Sequence, residues 1–119
     1  AVPNSFSDEA YADYLRCFSN PETVRAMCAD YRSVSLDLAH DDIDRGTQLS
    51  CPVLVLWGGE MSKRPGWQTG QNLDMMTVWK QRAADVRGRA LDCGHFIPEE
   101  QPDQLVDALF EFFESIEND

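Results

Sequence analysis

The stretch Asp92 to Pro102, DCGHFIPEEQP, holds one of the two histidines in the chain. His95 follows the strand-like run VRGRALDC, stands directly behind Gly94, and precedes a proline-punctuated acidic turn that opens a helix. An imidazole titrates near neutrality and can accept and return a proton, so a histidine placed there has the chemistry of a general base. In open α/β sheets, ligands gather beyond the carboxyl ends of the strands, where the loops meet. A residue just past a strand end is anchored by the sheet while its ring stays free to reach a reacting atom. Gly94 lets the backbone turn and leaves room beside the ring. A loop histidine that caps a strand or ties down a turn satisfies the same pattern, and these residues alone leave both readings open.

Few other residues compete for a chemical role. His40 precedes two aspartates in a polar segment and reads as a solvated residue. Two histidines this far apart offer no recognisable metal pair. The acidic runs HDDID and PEE lack the alternating oxygen-ligand loop of a calcium site and read as solvated faces and helix-start charges. No cofactor and no metal is expected. Cys17, Cys28, Cys51 and Cys93 form no C-x-x-C pair, and three of them lie in apolar surroundings where a free thiol behaves as a small buried hydrophobe. That pattern predicts a reducing, cytoplasmic setting. Trp57 and Trp79 read as core, whereas Trp67, in the loop EMSKRPGWQTGQ, is the tryptophan to watch for a substrate or partner contact.

A length of 119 residues gives one domain or a piece of one. Ten basic against 21 acidic residues leave a net charge of −11, a field that repels phosphate backbones and anionic membrane surfaces. Nucleic-acid and membrane partners are therefore not expected. Hydrophobic residues at 43% and charged residues at 26% are the proportions of a folded chain. No apolar run approaches the ~20 residues that cross a bilayer, and the first residues lack a signal-peptide profile.

The elements that must position His95 come last in the chain. Ser7, with Asp8 and Glu9 behind it, predicts a helix from about Ser7 to Phe18. Asn20 and Pro21 open a second, with Val24, Met27, Cys28 and Tyr31 along one stripe. The segment LAHDDIDRG, ending at Gly46, reads as a short helix or loop. Val53 to Trp57 is continuously apolar, as in a strand buried on both faces. A helix from about Leu73 to Ala83, a shorter strand in VRGRALDC, and a closing amphipathic helix with Leu105, Leu109, Phe112, Phe113 and Ile116 inward complete a strand, helix, strand, helix order. Two strands need neighbours to satisfy their backbone and cover their faces, so further chain is expected ahead of Ala1.

The combination CADYR, CPVLVLWG, VWKQRAADVRGRAL and CGHFIPEEQP resembles the C-terminal end of the α/β-hydrolase superfamily, and in particular the haloacetate (fluoroacetate) dehalogenases. The resemblance covers nearly the whole chain. It implies an α/β fold in which residues 1–45 are the end of a helical cap and the return to the core, and residues 46–119 the last two strands and helices of the core, incomplete as a sheet by themselves. It implies an Asp nucleophile that displaces halide from a small haloacid to form an ester, and a histidine-activated water that hydrolyses the ester. His95 matches that histidine. Tyr31, in CADYR, matches a cap tyrosine that donates toward the departing halide; its alternative is a core tyrosine on the helix stripe. The family's nucleophile elbow, with its arginines and its acid partner for the histidine, would all precede Ala1, so the chain alone is expected to be inactive. Glu60 occupies the position after LWGG where many other α/β-hydrolases place the acid, although a loop carboxylate explains it as well. A non-catalytic domain that covers its open edges through homo-oligomerisation or a partner, and an epoxide hydrolase or esterase, are the alternatives.

Overall fold

The computed structural model describes residues 5–60 and 75–117. These fall into two compact units, one spanning Phe6–Thr47 and one made of Ser5 and the residues from Gln48 onward.

The first unit is helical. Helix α1 (Asp8–Phe18) is capped by Ser7, whose hydroxyl accepts from the Ala10 N–H at 3.1 Å, with Asp8 and Glu9 complementing the positive end of the helix dipole. Helix α2 (Pro21–Arg32) starts where Asn20 accepts from the Glu22 N–H at 3.0 Å and Pro21 needs no N–H partner. The segment after it, expected as a short helix or loop, is helix α3 (Val34–Ile43). Gly46, at φ 96°, makes the left-handed turn that ends this unit, a conformation costly to any residue with a Cβ. None of the three helices contains a buried residue.

The second unit contains strand β1 (Val53–Gly58), helix α4 (Met75–Lys80), strand β2 (Val86–Leu91), the single-turn helix α5 (Ile97–Glu100) and helix α6 (Pro102–Glu117). The strands pair in parallel, with Val53 opposite Val86 and Gly58 opposite Leu91. Parallel neighbours require a crossover, and α4 lies on it. The backbone is close at Gly88, where a Cβ would stand 2.0 Å from the Val55 carbonyl oxygen, so this register admits only glycine there. Val55, Ala83, Leu91, Cys93 and Ala108 form the buried core. Arg87 ties β2 to α6 by donating to Ser115 Oγ at 2.6 Å while its other nitrogens grip the Asp85 carboxylate. An open hollow of about 180 Å³ lies between the sheet and α6, lined by Leu54, Leu56, Gly88, Ala108 and Phe112 among others; His95 is not part of it.

Several expectations are corrected. β1 is half-buried rather than covered on both faces, because only Val55 and Gly58 along it are fully buried. On α6 the inward position is Ala108, while Leu109 and Phe113 are exposed, Phe113 by 53%. Of the four free cysteines only Cys93 is buried; Cys17 is intermediate, and Cys28 and Cys51 are exposed, since their apolar sequence neighbours are themselves uncovered. The start of the helix expected from Leu73, and Trp67 with its loop, lie outside the described residues. The described part of that helix, α4, ends at Lys80 rather than Ala83, passing into a turn in which the Arg82 and Ala83 amides both donate to the Trp79 carbonyl.

Candidate active site

The end of β2 sinks before it surfaces. Leu91 is buried, Asp92 is exposed, Cys93 and Gly94 are buried, and His95 emerges exposed. The backbone is therefore anchored on its N-terminal side by core packing while the imidazole faces out. The end of β1 lies against it. The Glu60 N–H donates to the Cys93 carbonyl at 3.1 Å. A Cβ on Gly58 would stand 1.6 Å from the Gly94 carbonyl oxygen, so only a glycine at 58 lets the two strand ends approach this closely.

The C-terminal side is held from α5 and the start of α6. Glu100 turns its carboxylate back over the loop, where Oε2 accepts from the Gly94 N–H at 2.7 Å and Oε1 from the Phe96 N–H at 3.2 Å. The Glu99 and Glu100 amides donate to the Phe96 carbonyl, and the Gln101 side chain donates to the Asp92 carbonyl at 3.3 Å. The His95 and Phe96 rings meet in a T-shaped arrangement at a centroid distance of 5.2 Å. His95 thus sits at the tip of a loop whose two flanking amides, those of Gly94 and Phe96, are held by one carboxylate.

Cys93, two residues before the histidine, suggests a thiol nucleophile, but its environment opposes that. Burial, followed by the nearby charges of Glu100 and then Asp92, pushes its thiol pKa up. A thiol kept protonated is a poor nucleophile. Cys93 is 1% exposed and fills the core beneath the loop.

Among the remaining residues singled out in the sequence, Tyr31 lies in the last turn of α2 and is 81% exposed, so it is not a core tyrosine of the helical unit. It belongs to one compact unit and His95 to the other. Glu60, exposed at the end of β1, reaches the histidine loop through its main-chain N–H. His40 is exposed on α3, and among the described residues no group of three His, Cys, Asp or Glu side chains could hold a metal ion. Glu100 escaped the sequence reading, which placed PEE among helix-start charges. An acid three or four residues inside a helix start, able to reach back to the preceding amides, was the available signal.

Comparison with known proteins adds an independent line. No protein-family model matches the chain. It is 35% identical over 113 residues to a soluble epoxide hydrolase of Corynebacterium sp. (strain C12), covering 93% of this chain and 36% of that protein. It is 31% identical over 114 residues to a fluoroacetate dehalogenase of Burkholderia sp., covering 92% of this chain and 34% of that protein. Among solved structures, an α/β hydrolase from Nostoc sp. PCC 7120 superposes with a TM-score of 0.84 at 41% identity, over 95% of this chain and 37% of that one. The chain spans about a third of the length of the curated relatives it matches.

Proposed function

We propose that this chain, which belongs to the α/β-hydrolase superfamily and corresponds to a C-terminal portion of its fold, supplies a hydrolase with the histidine that activates water. The observation that carries this reading is the construction at His95: an exposed imidazole on a backbone pinned from the core side by Cys93 and Gly58 and from the helix side by Glu100. The reaction is of the haloacetate-dehalogenase type. An aspartate elsewhere in the hydrolase attacks the halogen-bearing carbon, the carbon–halogen bond breaks, and halide leaves with the bonding pair. Water then attacks the carbonyl carbon of the resulting ester while His95 takes its proton. The ester C–O bond breaks, the departing alkoxide takes the proton of the newly formed carboxyl group and leaves as the hydroxy acid, the aspartate carboxylate is restored, and His95 gives its proton up to solvent. Tyr31 donates a hydrogen bond toward the leaving halide, residues 1–45 serve as the end of the cap and the return to the core, and residues 46–119 serve as the C-terminal part of the core. The setting is cytoplasmic and the substrate a small haloacid.

The similarity to an epoxide hydrolase favours a second reading in which the same histidine activates water after an epoxide carbon has been attacked. A comparison of substrates decides between the two. The hydrolase that includes this chain is expected to release fluoride or chloride from haloacetate continuously, and His95→Ala to stop after no more than one halide per active site. Diol formation from an epoxide, with no halide release, selects the second reading. Full activity in His95→Ala overturns both. The 119-residue chain alone is expected to release no halide, and a discrete dimer by gel filtration would instead support a stand-alone domain that covers its edges with a second copy.

A further inference from the structure

We infer that Glu100 is a positioning residue for His95, fixing the direction in which the imidazole leaves the backbone; this rests on the proposed role of His95. A side chain's point of departure is set by the φ and ψ of its own residue, and each rotation swings one of the flanking peptide planes. Rotation about φ of His95 swings the plane that carries the Gly94 carbonyl, and that oxygen lies against the backbone at Gly58. Rotation about ψ swings the plane that carries the Phe96 N–H, which Glu100 Oε1 holds at 3.2 Å. The second oxygen of the same carboxylate takes the Gly94 N–H at 2.7 Å, locking the residue before the histidine as well. One carboxylate therefore spans His95 from residue 94 to residue 96, and the freedom left to the imidazole is in its own χ angles.

Both acceptors are charged oxygens, and hydrogen bonds to a charged group are stronger than neutral ones. Gly94 is part of the same device. A Cβ there would meet Glu100 Oε1 at 2.8 Å and Oε2 at 2.9 Å, and a carboxylate already committed to two amides cannot retreat without releasing them. The absence of a side chain at 94 thus serves the clamp, while the backbone there stays outside the left-handed region. Helix α5 is a single turn, too short to hold the loop by its own hydrogen bonds. The restraint comes from the side chain.

The test is amide hydrogen exchange at Gly94 and Phe96, with Val55 in β1 as the internal reference, combined with steady-state kinetics of the hydrolase. In Glu100→Ala, exchange at Gly94 and Phe96 is expected to speed up about tenfold or more relative to Val55. kcat is expected to fall and KM to fall with it, leaving kcat/KM little changed, because His95 acts after the ester has formed. Glu100→Gln keeps one carbonyl acceptor and is expected to recover part of both, and Gly94→Ala to resemble Glu100→Ala. If Glu100→Ala also loses protection at Val55, Glu100→Gln decides: faster exchange confined to the loop supports the assignment, and wild-type exchange overturns it. Wild-type exchange and kcat in Glu100→Ala overturn it outright. If His95→Ala keeps full activity while Glu100→Ala still loosens the loop, the catalytic reading fails and the clamp stands as a structural device.

Discussion

The helical unit, Phe6–Thr47, and the loop after β2 are built on opposite plans. In the first, each element is specified locally: Ser7 and Asn20 cap α1 and α2, Pro21 opens α2, and Asp13 pairs with Arg16 one turn away, yet no helix buries a residue. In the second, one carboxylate a few residues on and a strand end far back in the chain act together. Glu100 holds the Gly94 and Phe96 amides, Cys93 is held by Glu60 across 33 positions of sequence, and Gly94 touches Gly58 across 36. Capping signals are enough to make a helix, whereas the backbone around His95 is fixed from both near and distant segments.

Substitutions can break that contrast, and the largest effects belong where backbone meets backbone, at Gly58 and Gly88. Gly58→Ala drives a Cβ into the Gly94 carbonyl and Gly88→Ala drives one into that of Val55, both against backbone that cannot move aside. Each is expected to cost about 3 kcal/mol or more, read as a drop in the denaturation midpoint with loss of loop protection. Next comes Cys93→Ser, which places a hydroxyl in a site shaped for a thiol; a loss of about 1–3 kcal/mol is expected. Under native conditions Cys28 and Cys51 are expected to react rapidly with an alkylating reagent and Cys93 to react only on unfolding.

A pH dependence follows from the same burial. The Cys93 thiol has its pKa raised in the folded state, so the protonated thiol is favoured there. Its contribution to stability is fully present below the ordinary thiol pKa and is lost as pH rises through the folded value, because the unfolded chain gives up its proton first. Stability measured by denaturant titration is therefore expected to fall with pH on the alkaline side, and that decline to be absent in Cys93→Ala. The smallest effect lies in the helical unit. Ser7→Ala removes the acceptor for the Ala10 N–H and is expected to cost about 1 kcal/mol, read as lost helicity in α1 with exchange at Gly94 and Phe96 unchanged.

How much the sequence disclosed tracks the same division. Caps, helix starts at Pro21 and Pro102, the continuous apolar run of β1, and the placement of His95 just past a strand were legible because each depends on residues within one or two turns. Three features were not. The partial burial of β1 and the exposure of Leu109 and Phe113 depend on which layers cover them, which periodicity does not specify. The fate of the cysteines depends on tertiary neighbours, so an apolar sequence context misled for Cys28 and Cys51. The grip of Glu100 was hidden in a run of acids, where charge at a helix start is the ordinary explanation.

The central claim is that His95 activates the water that releases product from an ester on the enzyme. It is tested most directly by mixing the His95→Gln form of the hydrolase that includes this chain with excess haloacetate and measuring halide and hydroxy acid together. The account expects a burst of one halide per active site, a matching ester adduct in the intact mass of the protein, and no continuing hydroxy-acid production. Sustained release of both products at the wild-type rate would contradict it.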